Sequence, residues 1–312
     1  MIKKRHFIIV ISILLVGMVL GSIFDLQINQ ALFSKNNAFG LAMASFGVYP
    51  CYAGLAFIGG GLIATTLNRK DLPLFSKIIS YGLAGLAYFV AVYLCGNELP
   101  STNGFYNSNN PFWYWMLSYL VAAFTLAAVS VGAYFVCKKG DAKKLWTALL
   151  VMAVIFVLGL LPPGFIIKLI IHRPRYRYLV RCGTVEFHNW WDSCQNYKDY
   201  FHLVVDGFII DKEEFKSFPS GHAGTAAIMM MFLPYASMFF NKLKGKETLL
   251  FYIGFAWTIL MAFSRILVGA HYLSDVCMGS LIIMVVYFSV HVYTTKKGWI
   301  FSQDKEKEQP QE

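Results

Sequence analysis

Charge is scarce in this chain: Asp, Glu, Lys and Arg make up 14% of its 312 residues, against 57% hydrophobic residues. That balance excludes an ordinary soluble globular domain of this length and places the chain in a bilayer. Acidic residues are scarcest, 17 against 27 basic ones. A net charge of +10 raises nucleic-acid binding as a class, but the lysines fall in short strips between apolar runs, where they orient a membrane protein. The six cysteines show no C-x-x-C and no Cys/His ligand spacing, which argues against a zinc site. No A-x-A-like cleavage site follows the first apolar run, so Phe7 to Phe24 reads as an uncleaved first transmembrane helix. The chain has no N-x-[ST] sequon, which suits a bacterial plasma membrane better than a glycosylating secretory route.

What is present is a series of apolar runs of spanning length. After the first they lie at about 48–67, 78–95, 112–136, 146–167, 221–240, 249–267 and 275–293. The expected fold is all-α: a polytopic integral membrane bundle of about eight transmembrane helices. Residues 25–47 are expected to lie along the interface or over the outer helix ends. Lysine and arginine recur at the N-terminus, in alternate connections and after residue 295, whereas 96–111 has no basic residue. Both termini are therefore expected in the cytoplasm. The organisation reads as N-terminal helices (1–145), a core with an outer loop at 176–218 (146–295) and a cytoplasmic tail (296–312). Gly59, Gly60 and Gly61 suit close helix packing, and Pro162 and Pro163 a kink or end of the fifth helix.

Three polar stretches stand out: K-L-I-I-H-R-P-R-Y from Lys168, F-P-S-G-H ending at His222, and S-R-I-L-V-G-A-H-Y-L-S-D from Ser264 to Asp275. With about eight crossings all three fall on the outer face. Phosphoryl transfer asks a protein to position a nucleophile, protonate a leaving oxygen and neutralise the non-bridging oxygens. Lys168, Arg175 and Arg265 can supply the cations. Ser220 stands where a helix N-cap belongs, and Gly221 lets a ligand approach the backbone. His271 and Asp275, four residues apart, share a helix face, so the carboxylate can orient one imidazole nitrogen while the other attacks phosphorus. His222 is then the general acid. Taken singly, each motif has a plain structural reading; their joint occurrence carries the case.

Together these stretches resemble the signature of the type 2 phosphatidic acid phosphatase superfamily, K-x6-R-P, P-S-G-H and S-R-x5-H-x3-D. The second and third are complete. In the first, Lys168 and Arg175 keep the spacing, Tyr176 stands where proline is usual, and Arg173-Pro174 is an R-P pair out of register. The resemblance covers roughly 146–293. It implies phosphate binding by Lys168, Arg175, Ser220, Gly221 and Arg265, acid catalysis by His222, attack by His271 assisted by Asp275, and no metal or cofactor. The expected substrate is a lipid phosphate monoester or an isoprenoid diphosphate, reached from the bilayer, with no nucleic-acid partner. Transfer to an acceptor other than water, and phosphate binding without turnover, are the competing readings; oligomeric state is open. In the outer loop, Trp190 and Trp191 read either as interfacial anchors or as part of a lid. Cys182 and Cys194 share that loop, where an oxidising compartment permits a disulfide.

Overall fold

Asp25 and Asn29 end the first apolar run of the sequence, yet the helix that contains them continues. In the computed structural model α1 spans Lys4–Leu32, 29 residues, or about 44 Å at 1.5 Å per residue. Asp25 and Asn29 are four residues apart on its inner face, in line with the buried Gly21 and Met18. The stretch expected to lie at the interface from Asp25 onward is thus, as far as Leu32, the last two turns of α1. The structure describes residues 2–98, 112–160, 162–183, 185–200, 204–205, 208–209 and 212–300. Most of the basic-free connection 96–111 and the end of the tail lie outside the described residues.

Eleven further helices follow among the described residues. They are α2 (Ala38–Phe46), α3 (Tyr49–Asn68), α4 (Leu74–Glu98), α5 (Phe112–Lys138), α6 (Ala142–Leu160), α7 (Pro162–Ile170), α8 (Tyr176–Cys182), α9 (Gly221–Ala227), α10 (Met229–Phe239), α11 (Glu247–Leu267) and α12 (Leu273–Lys296). The loop between α7 and α9 holds α8, two 3-10 turns and a minimal antiparallel ribbon pairing Val204 with Ile209 and Val205 with Phe208. Seven spans among the described residues are long and apolar enough to cross a bilayer; α2 and α3 count as one of them. The expected eighth, 221–240, is broken at Ile228 into helices of seven and eleven residues. There the Thr225 carbonyl accepts the Ile228 N–H at 3.1 Å in a tightened turn, and the Cys51 thiol donates to the same oxygen at 2.8 Å.

The bundle is inside out in polarity, as a bilayer requires. Ile8, Val16 and Val19 on α1, Phe89 on α4 and Phe124 on α5 are exposed. One continuous buried cluster takes Phe7 and Val10 from α1, Ile58 and Leu62 from α3, Leu149 and Ile155 from α6, Met231 from α10, Phe251 from α11 and Tyr287 from α12. Helices before and after residue 145 therefore share one core.

Glycines let the backbones close on each other. A Cβ at Gly60 would lie 1.9 Å from the Ser130 carbonyl oxygen of α5, and one at Gly279 would lie 2.2 Å from that of Ser220. The second contact seats the start of α9 against α12 and brings two of the three motifs together. Pro162 opens α7 after α6 ends at Leu160, and Lys168 falls in the last turn of α7.

Candidate active site

The three stretches meet at one end of the bundle, opposite the N-terminus. The Ser220 N–H donates to the Asp275 carbonyl at 2.9 Å, Arg177 N–H to the Gly269 carbonyl at 2.9 Å, and Arg175 Nη1 to the Ala270 carbonyl at 3.3 Å. Ser220 caps α9, its Oγ accepting the Ala223 N–H at 3.3 Å. A Cβ added at Gly221 would meet Lys168 Nζ at 3.5 Å, so the ammonium lies over the first turn of α9.

His271 sits between α11 and α12 and is 1% exposed. Its Nδ1 lies 2.7 Å from the Ser217 carbonyl oxygen. A carbonyl only accepts, so the proton is on Nδ1 and the Nε2 lone pair is free. Burial pulls the imidazole down to about 3, with its contact to Asp275 opposing and the nearby Arg175 assisting. The ring is therefore neutral at ordinary pH. Asp275 stands beside it, Oδ2 to Nδ1 3.6 Å, but the hydrogen bonds of that carboxylate go elsewhere. Oδ1 accepts from Arg173 Nη1 at 2.6 Å; Oδ2 accepts the Tyr272 N–H at 2.9 Å and a short bond from the Ser217 hydroxyl. The ring orientation expected from Asp275 alone is thus supplied first by Ser217, which Asp275 holds.

Part-buried Lys168 and buried Arg175 act on this histidine through their charge, and the carbonyl of the buried Arg265 accepts its backbone N–H at 3.3 Å. Burial and Arg175 bring Lys168 down to about 8. Burial and Arg177 bring Arg175 down to about 10, while its Nε donates to the Glu213 carbonyl at 3.0 Å. Both remain cationic at neutral pH. Arg265, on α11, donates from Nη2 to the Gly40 carbonyl in a short bond and from Nε to Ser264 Oγ at 3.3 Å. Its buried Nη1 has no hydrogen-bond partner among the described residues. A buried guanidinium N–H without an acceptor is costly, and an anion at that point would relieve it.

His222 opens α9, and its Nε2 lies 3.3 Å from Glu98 Oε2, at ion-pair distance without the alignment of a hydrogen bond. The other Glu98 oxygen accepts from the Tyr52 hydroxyl at 3.2 Å. Glu98 ends α4, and no motif in the sequence points to it.

Arg173 is the other residue the motif reading passed over. It is fully buried between Asp275 and Asp25, and its guanidinium lies 4.0 Å from the Tyr272 ring centroid. Burial works against its charge, but Asp275 and Asp25 outweigh burial and raise its pKa. The loop between α7 and α9 backs these residues: the Arg175 N–H donates to the Glu214 carbonyl at 2.8 Å, and Arg177 pairs with Glu214 at 2.5 Å. Trp190 stacks on Phe218 and donates from Nε1 to Ser22 Oγ of α1 at 2.9 Å, while Trp191 is exposed. Cys182 and Cys194 are free thiols beside Tyr178 and Phe215. Among the described residues no cluster of three or more His, Cys, Asp or Glu side chains has metal-holding geometry.

Searches among curated proteins and solved structures give no significant match. A family model does match, over residues 144–299, which is 156 of 312 residues and contains all three polar stretches. The helical, membrane-type chain, with its three polar stretches gathered at one end, belongs to the PAP2 superfamily.

Proposed function

We propose that the protein is a membrane lipid phosphatase. It hydrolyses a lipid phosphate monoester or an isoprenoid diphosphate at the extracytoplasmic face, through a phosphohistidine and without a metal. The observation that carries this reading is the neutral, Nδ1-anchored His271 set among Lys168, Arg175 and Arg265, whose Nη1 lacks an acceptor among the described residues.

The residues divide the work as follows. Lys168, Arg175 and Arg265 bind the non-bridging oxygens with charge-assisted bonds, helped by the amides at Ser220 and Gly221. His271 Nε2 forms a bond to phosphorus as the bond from phosphorus to the leaving oxygen breaks, the lipid oxygen of a monoester or the bridging oxygen of a diphosphate, and His222 gives that oxygen its proton. Water then attacks the phosphohistidine and loses a proton to His222. The P–N bond breaks, inorganic phosphate leaves, and both histidines return to their starting state. An amphiphile suits a site at the helix ends because it reaches the cations by lateral diffusion with its tail in the bilayer. The basic strips at the opposite end support the outward placement.

The test is phosphate release by detergent-purified protein, in chelator, from phosphatidate and from an undecaprenyl diphosphate, with His271→Ala as control. Release that the variant lacks supports the reading. Release that survives His271→Ala removes the nucleophile assignment, and substrate consumption only when an acceptor lipid is present, with the phosphoryl group recovered on that acceptor instead of as free phosphate, identifies a transferase.

A further inference from the structure

Two carboxylates are almost wholly buried among the described residues, Asp275 and Asp25, and only the first stands beside His271. Asp25 lies on α1, far outside the residues that match the family. Its Oδ1 accepts the Ser274 N–H at 3.0 Å; its Oδ2 accepts Arg173 Nη2 at 2.9 Å and a short bond from the Ser274 hydroxyl. Arg173 passes the contact on, from Nη1 to Ser274 Oγ at 2.8 Å and to Asp275 Oδ1 at 2.6 Å. Asp275 holds the Ser217 hydroxyl, and the Ser217 carbonyl holds His271 Nδ1. A continuous path therefore runs from the first helix to the nitrogen opposite the proposed attacking one. Asn29, one turn beyond Asp25, adds a bond from Nδ2 to the His271 carbonyl at 3.2 Å.

Charge gives the path a chemical consequence. With both carboxylates ionised, one guanidinium between them leaves a net charge of −1 beside His271. When Nε2 bonds phosphorus while Nδ1 keeps its proton, the ring becomes cationic, and this residual negative charge stabilises it. If Asp25 were neutral, the charge of Arg173 would fall wholly on Asp275 and cancel it. Arg173 would also lose its second anchor.

We propose that Asp25 is a positioning residue for phosphoryl transfer: through Arg173 and Ser274 it fixes Asp275 and leaves that carboxylate's negative charge available to His271. The proposal rests on the function proposed above. Asp25 touches none of the cations assigned to substrate, so its removal should slow chemistry without weakening phosphate binding.

The experiment compares the wild-type chain with Asp25→Asn in detergent, measuring kcat, KM, competitive inhibition by inorganic phosphate, and phosphoenzyme trapped by alkaline quench. The expected result is a kcat lower by roughly 10–100-fold, as for partners that orient first-contact groups in other sites. KM and the phosphate inhibition constant should stay within about threefold, with slower phosphoenzyme formation. A kcat within twofold of wild type, or a loss carried by KM and phosphate affinity, overturns the proposal. If Asp25→Asn does not fold, Ser274→Ala removes the bridging hydroxyl and keeps both charges. A severalfold loss of kcat at constant KM then supports the proposal, and an unchanged kcat overturns it. The proposed function fails separately, when wild type releases no phosphate or His271→Ala releases as much.

Discussion

Burial of His271 ties the proposed chemistry to a stability measurement. Its pKa lies at about 3 in the folded protein, against an ordinary 6.5, because desolvation outweighs the contact to Asp275. A depressed pKa contributes stability that is fully present above about pH 6.5 and is lost as pH falls toward 3, because the unfolded state takes up the proton first. Between pH 7.5 and pH 4.5 the unfolded imidazole binds about one proton and the folded one almost none. Two pH units below 6.5, at about 1.4 kcal/mol per unit, make the loss about 3 kcal/mol. His271→Asn keeps a side-chain N–H for the Ser217 carbonyl and removes the titration. In reversible SDS unfolding, wild type should therefore lose about 3 kcal/mol more than the variant between those two pH values. Parallel losses would mean that His271 is not held neutral by burial, and the basis for a free Nε2 lone pair would go with it.

Other perturbations separate binding, proton transfer and packing. Arg265→Lys keeps a charge but loses the planar fork, and the KM and vanadate constants should rise roughly 10–100-fold, the worth of a charged hydrogen bond, with the protein still folded; unchanged vanadate inhibition would remove Arg265 from the phosphate site. His222→Ala should lower turnover of an alkyl phosphate by roughly 10²–10⁴-fold and of an aryl phosphate, whose leaving oxygen needs little protonation, far less. Equal losses on both would deny it the acid role. Gly279→Ala places a Cβ 2.2 Å from the Ser220 carbonyl oxygen and should cost about 1–3 kcal/mol along with activity. Gly82→Ala meets nothing within 4 Å and serves as its silent counterpart.

The legible part of this chain was the part written in spacing. Apolar runs separated by basic strips gave an all-helical membrane bundle, and the three polar stretches are adjacent in the structure because each closes on another's backbone, as Ser220 does on Asp275. Where a run was interrupted, the sequence misled. At the break at Ile228 a thiol from α3 donates to the Thr225 carbonyl, a contact across the fold that no local pattern encodes. Glu98 was invisible for the same reason: its position opposite His222 is set by how α4 packs, not by its neighbours in sequence.

Asp25 and Arg173 differ from these, because a signal for both existed. Asp25 is the one acidic residue in the 29 residues of α1, and a lone carboxylate in a spanning helix implies a partner inside the bundle. Reading the apolar run as ending at Phe24 moved it to the surface and removed the need for that partner. Arg173, in turn, lies two residues before the arginine that satisfies the family spacing, so Arg175 accounted for the motif and Arg173 was left as a pair out of register. The electrostatics reverse that ranking of interest. Arg175 donates to the carbonyls of Glu213 and Ala270 and forms no ion pair among the described residues, whereas Arg173 pairs with two carboxylates. In the proposed scheme two arginines two residues apart thus have opposite tasks. The test of which one meets substrate is the number of acids each faces, and that number exists only once α1 is folded against α12.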